Sequence, residues 1–152
     1  MMSLSSSTIA GKRIMALDYG ERRTGVAVCD EMHIVVSSRP ILETNEQLIQ
    51  NVLQQAGNDR VDVIVVGVPV HHDDRITPII QSITEFIGSL SASTAIPVYA
   101  VDEAFSTRDA RAIMVASGMK KKKRQTKGVK DQVAAAVILQ RVLDEFSVGP
   151  IR

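Results

Sequence analysis

Three acidic residues, Asp18, Glu103 and Asp131, stand where a hydrolytic site can be assembled. Asp18 ends a short apolar run, Ile14 to Leu17, and Glu103 follows another, Pro97 to Val101. If the two runs are parallel strands of one sheet, both acids lie at the same edge, outside the carboxyl ends of strands, where ligands of open α/β sheets collect. Asp131 falls in the first turn expected for the last helix. The residues three, four, seven and eleven positions on are Ala134, Ala135, Ile138 and Val142, so it continues an apolar stripe directed at the sheet. Carboxylates gathered on a buried face are costly and repel one another. A divalent cation removes that repulsion, and hard oxygen ligands suit Mg²⁺ or Mn²⁺. Such ions activate water and stabilise a leaving oxygen in phosphodiester cleavage. Taken singly, each acid has an ordinary reading. Asp131 is an acid favoured by the helix macrodipole, Asp18 a turn residue, and Glu103 a solvated side chain after its strand. Asp102 rivals Glu103, because neighbours on a strand point to opposite faces. The joint placement is what argues for a site.

The elements that must position these acids are legible in the hydrophobic pattern. Ile14 to Leu17 reads as a strand buried on both faces. Gly25 to Cys29 and His33 to Ser37 read as two further strands, joined by the turn at Asp30-Glu31 and spaced for antiparallel hairpins. Asn45 to Ala56 carries the apolar stripe Leu48, Ile49, Val52, Leu53 of a helix, with Gly57 as its stop. Asp62 to Val68 is the strongest strand and, between helices, belongs inside a parallel sheet. Pro78 to Leu90 is a second helix and Pro97 to Val101 another strand. Ser106 to Asp109 forms a capping box opening a helix to about Ser117, closed by Gly118. The last helix runs from about Val129 to Phe146. The pattern predicts a mixed five-stranded α/β sheet, antiparallel strands first and parallel strands later, with helices on both faces.

Basic residues are concentrated. Of the eighteen Lys and Arg, seven fall between Lys120 and Lys130, with no acid among them. Lys120, Lys121, Lys122, Lys123, Arg124 and Lys127 suit backbone phosphates, bound without reading sequence; a solvated loop is the alternative. Arg22 and Arg23, in the turn after Asp18, either position a phosphate or are exposed turn charges. Gly20 serves a close backbone approach or a positive φ. The stretch Gly20 to Gly25 lacks the Gly-Lys-Ser/Thr ending of a phosphate-binding loop. His71, His72, Asp73 and Asp74 lack a second ligand cluster and read as a polar loop.

The 152 residues argue for one domain, with residues 1–10 as a disordered tail, 11–147 as the folded unit and 148–152 as a C-terminal tail. Aromatics are 3% with no Trp, so the core is aliphatic. Net charge is +1, so only the charge distribution hints at nucleic acid. The single cysteine, Cys29, cannot form an internal disulfide. Without a signal-like start, a cytoplasmic protein is expected. The longest apolar run, Val133 to Leu139, is far short of a membrane span.

From about Arg13 to Phe146 the chain resembles the YqgF/RuvX family. The likeness rests on Leu17-Asp18-Tyr19-Gly20 with Thr24-Gly25-Val26-Ala27-Val28, on Val65-Val66-Gly67-Val68-Pro69, on Val101-Asp102-Glu103 with Ser106-Thr107 and Ala110, and on Lys130-Asp131-Gln132-Val133-Ala134-Ala135 with Ile138-Leu139-Gln140. The resemblance implies a ribonuclease H-like fold, Asp18, Glu103 and Asp131 as catalytic acids and metal ligands, and a bacterial cytoplasmic nuclease; the oligomeric state is left open between monomer and homodimer. It also implies one of two roles, trimming the 5′ end of pre-16S rRNA or resolving Holliday junctions. The chain departs from the family at Ala104, where Arg is usual, and in the His71 to Asp74 loop, where Gly is usual. Two other classes remain. One is a non-catalytic nucleic-acid-binding module. The other is an actin-like or sugar-kinase ATP enzyme, for which the chain is too short.

Overall fold

The computed structural model describes residues 4–69, 75–103 and 127–146. Its centre is β1 (Ile14–Asp18), whose first four residues are completely buried. β1 pairs antiparallel with β2 (Arg23–Cys29), in register Leu17 with Val26 and Asp18 with Gly25. β2 pairs antiparallel with β3 (Val36–Glu43), with a bulge between Thr24 and Val26. On the other side, β4 (Val63–Val68) and β5 (Val98–Asp102) join in parallel, giving the order β3-β2-β1-β4-β5. This is the expected mixed sheet. The crossovers into β4 and β5 are α2 (Leu48–Asn58) and α3 (Pro78–Ser93), and helical crossovers bring strands in parallel. The last described element is α4 (Lys127–Phe146).

Alternation sorts the strand residues into two apolar layers. Met15, Leu17, Val26, Ile64 and Val66 pack with α2 and α3. Ile14, Ala16, Ala27, Val63, Val65 and Tyr99 pack with Ala135, Ile138, Leu139 and Val142 of α4. Each fully buried Leu or Ile contributes about 1.5–3 kcal/mol relative to an exposed one, so the two layers seat the helices that frame the sheet edge at Asp18. Among the described residues, no helix is long and apolar enough to cross a membrane.

Four local expectations are corrected. Residues 1–10, expected as a disordered tail, include α1 (Ser6–Ile9), because Ile9 is completely buried in the layer beneath α4 and Leu4 packs there too. The third strand, expected over His33 to Ser37, instead spans Val36–Glu43. The Asp30 carboxylate accepts from the backbone N–H groups of Ile34 and Val35, and His33 turns the chain at φ 58°, so pairing begins only at Val36. Pro40 is tolerated because β3 is an edge strand. Gly57 does not stop α2 but lies inside its last turn. The left-handed residue is Arg60, at φ 54°, and the Val61 N–H closes on the Ala56 carbonyl at 2.9 Å. α4 starts at Lys127, so Asp131 is its fifth residue, past the first turn. The capping box from Ser106, the helix to Ser117, the His71 to Asp74 loop and Ala104 lie outside the described residues.

Candidate active site

Asp18 is the last residue of β1. Tyr19, next along, stacks on Phe86 of α3, with ring centroids 4.9 Å apart. By alternation, Tyr19 belongs to the α3 side of the sheet and Asp18 to the α4 side, with Ala16 and Ile14. Past Tyr19 the chain turns tightly. A Cβ on Gly20 would sit 2.5 Å from the Arg23 carbonyl oxygen. Gly20 is therefore required by close approach of backbone and not by a positive φ, which it does not have. Behind this turn, Thr24 is completely buried, and its hydroxyl is satisfied by that of Thr44 at 2.8 Å. Buried polar groups of this kind hold a loop in one geometry.

Glu103 continues the β5 ladder by one step, its N–H donating to the Val68 carbonyl at 3.1 Å. Tyr99 and Val101 of β5 belong to the α4 side of the sheet, and Val98 and Ala100 to the α3 side. Glu103 therefore shares the side of Asp18, while Asp102 is exposed at the rim of a cavity that Ile138, Arg141 and Val142 of α4 also line. The outcome is direct contact: the carboxyls of Asp18 and Glu103 are joined by a side-chain hydrogen bond. Burial pushes the Glu103 carboxyl above its ordinary range. The bond to Asp18 opposes that shift, and the negative charge of Asp102 adds to it. Two facing carboxyls that share a hydrogen bond need one proton between them.

That donor set fits a hard divalent cation, which replaces the proton's role with oxygen ligation. Among the described residues, no three His, Cys, Asp or Glu side chains gather as a metal cluster; the structure brings together two of the three expected acids. Asp131 is placed on α4, four residues before Ala135 and seven before Ile138, both buried against the sheet; its side chain lies outside the described residues. Arg22 and Arg23 are exposed at the same sheet edge as Asp18. Lys120 to Arg124, and the side chain of Lys127, lie outside the described residues.

One residue to which the sequence pattern assigns no role belongs to the site. Gly67, on β4 between Asp18 and Glu103, faces both Glu103 and Ile138 of α4. Its signal in the sequence is a glycine inside the strongest strand, Val63 to Val68, since a strand glycine marks close approach.

Residues 12–145 match the RuvX family, described as Holliday junction resolvase. A Bacteroides fragilis protein provisionally named pre-16S rRNA nuclease is 36% identical over 135 residues, covering 87% of this chain and 96% of the relative. One of the same name from Christiangramia forsetii is 38% identical over 134 residues, covering 88% and 98%. Among solved structures, T. thermophilus RuvC in complex with Holliday junction substrate aligns with a TM-score of 0.56 at 16% identity, over 88% of this chain and 95% of that one. Fowlpox virus resolvase in complex with Holliday junction DNA aligns with a TM-score of 0.54 at 12% identity, over 88% and 98%. At such identities the structural likeness is one of fold, ribonuclease H-like α/β. The match across residues 12–145, with relatives of 36–38% identity aligned over nearly their whole length, shows that the chain belongs to the RuvX family.

Proposed function

We propose that the chain is a metal-dependent nuclease that hydrolyses phosphodiester bonds, acting on the 5′ end of pre-16S rRNA. The observation that carries this reading is the Asp18–Glu103 pair, two carboxyls drawn together on one side of the sheet at the carboxyl ends of β1 and β5. The choice of RNA follows the name borne by the relatives.

In this reading Asp18, Glu103 and Asp131 hold Mg²⁺ or Mn²⁺, which when bound lowers the pKa of water and offsets charge on the leaving oxygen. The chain's own groups do the rest. The Tyr19–Phe86 stack and the Gly20 turn hold Asp18 at the sheet edge. The ladder bond to Val68 fixes the backbone of Glu103. Arg22, Arg23 and the run Lys120, Lys121, Lys122, Lys123, Arg124 and Lys127 bind backbone phosphates and align the strand without reading its bases. A second substrate, four-way DNA, is favoured by the family description and by the fold shared with junction-bound RuvC.

The test is a cleavage assay on two substrates, an RNA carrying the 5′ leader of 16S rRNA and a four-way DNA junction. Each is run with Mg²⁺ and with Mn²⁺, and with Asp18→Asn purified in parallel. The expected result is metal-dependent cleavage of the RNA that is lost in Asp18→Asn. Cleavage of the junction alone moves the substrate to DNA. Tight binding with no cleavage, and no acid-dependent uptake of Mn²⁺ by calorimetry, establishes a non-catalytic binding module instead.

A further inference from the structure

We infer that Gly67 is a positioning residue of this site: the absence of a side chain there is what lets the Glu103 carboxylate and helix α4 occupy the same patch of the sheet. The inference rests on the nuclease reading above.

A Cβ built at Gly67 would lie 2.6 Å from Ile138 Cδ1, 2.9 Å from Glu103 Oε2 and 3.2 Å from Glu103 Cβ. The first two are shorter than any carbon contact tolerates, so something must move. Gly67 lies next to Val66, which pairs with Ala100 of β5 and, like Val65 and Ile64, is completely buried. The strand is held on both edges up to Val66, by Leu17 of β1 and Ala100 of β5, and Gly67 pairs with Val101, so the backbone has little room to yield. The parts free to respond are therefore the side chains above it. Ile138 is buried at 2% exposure with Ala135, Leu139 and Val142 on the same helix, so its Cδ1 must turn within a packed layer. Glu103 lies one residue beyond its strand and is the softer partner. A methyl at position 67 therefore displaces the carboxylate that bonds to Asp18, whose Oε2 must retreat from 2.9 Å to an ordinary contact distance. A misplacement of about 1 Å in a catalytic constellation costs about 100-fold in rate, so a shift of roughly half that costs on the order of tenfold.

A purely structural glycine and a positioning glycine make different predictions once the helix clash is relieved. Ile138→Val removes Cδ1 and so the clash with α4, leaving the clash with Glu103. In Gly67→Ala/Ile138→Val, the melting temperature should return to within a few degrees of Ile138→Val alone. The kcat should stay about tenfold down with KM little changed, and Mn²⁺ affinity by calorimetry should stay reduced. Recovery of both cleavage and Mn²⁺ affinity along with stability overturns the inference. A second measurement does not depend on activity. Glu103→Ala should restore part of the stability lost in Gly67→Ala, because it empties the space the methyl needs; strictly additive losses between positions 67 and 103 overturn it as well. Glu103→Gln run alongside separates the two levels. If Glu103→Gln cleaves at the wild-type rate, the nuclease reading itself fails. If Glu103→Gln is dead while Gly67→Ala/Ile138→Val is fully active, only the role of Gly67 fails.

Discussion

Neighbouring acids at the end of β5 should behave as opposites: Glu103→Gln should destroy cleavage and Asp102→Asn should spare it. The magnitudes follow from their surroundings. Glu103 is half-buried, bonded to the Asp18 carboxyl and packed on Gly67. A carboxylate about 4 Å from a bound cation in a partly desolvated site, at an effective dielectric of ~20, gains roughly 4 kcal/mol per unit charge. At about 1.4 kcal/mol per factor of ten, losing that charge costs on the order of 1,000-fold in kcat/KM. Asp102 is exposed at the rim of a cavity beside α4, where solvent reduces a charge effect to about 0–1 kcal/mol, less than roughly fivefold. A second readout follows from the raised Glu103 pKa. An acid whose folded-state pKa lies above its unfolded value weakens the fold at pH values above both, and the penalty fades as pH falls through the folded pKa. Without divalent metal, Glu103→Gln should therefore melt higher than wild type at pH 8 and converge with it toward pH 4. The assay is single-turnover cleavage with Mn²⁺, with thermal melts in chelator across that pH range. Equal losses from the two substitutions, or a larger loss from Asp102→Asn, would refute the pairing of Glu103 with Asp18 on which the site is built.

Three further outcomes are expected. Asp59 is pushed up by burial, but hydrogen bonds from Arg39 and Gln55 and the charge of Arg39 outweigh that and hold its pKa below the ordinary 3.8. Asp59→Asn should lower stability by about 1–2 kcal/mol near pH 7, and the difference should vanish as pH falls below that ordinary value; an equal difference at pH 2 rules the ion pair out as the cause. The Cys29 thiol is pushed up to about 11 by burial and by Asp30, against a lowering backbone hydrogen bond from Ile14. At pH 8 a disulfide reagent should label it about 100-fold more slowly in the native protein than in urea; equal rates contradict its burial beneath α4. Replacing Lys120 to Lys123 with Ala should flatten the log–log salt dependence of single-stranded RNA binding by about 0.7 for each phosphate no longer neutralised. An unchanged slope, measured by filter binding, means those lysines do not touch the backbone.

The strands and helices were legible because each carries a local signal. The continuous apolar run of β4 marks a strand covered on both faces. Pro78 at the first helical position, after Thr77, whose hydroxyl accepts the Ile80 N–H, marks the start of α3. The errors fell where local signals mislead. Ile34 and Val35 look like strand residues, but Asp30 captures their N–H groups. Gly57 looks like a helix stop, but Arg60 carries the left-handed turn.

What the sequence by itself determined is the period of each element, and with it which acids end which strands, because side-chain alternation and helical repeat are properties of neighbouring residues. Which of Asp102 and Glu103 meets Asp18 was decided only when β5 took its place beside β4 and α4 covered one side of the sheet. So was the need for a bare backbone at Gly67. Both depend on groups far apart in the chain competing for the same few ångströms, and no local pattern encodes that competition.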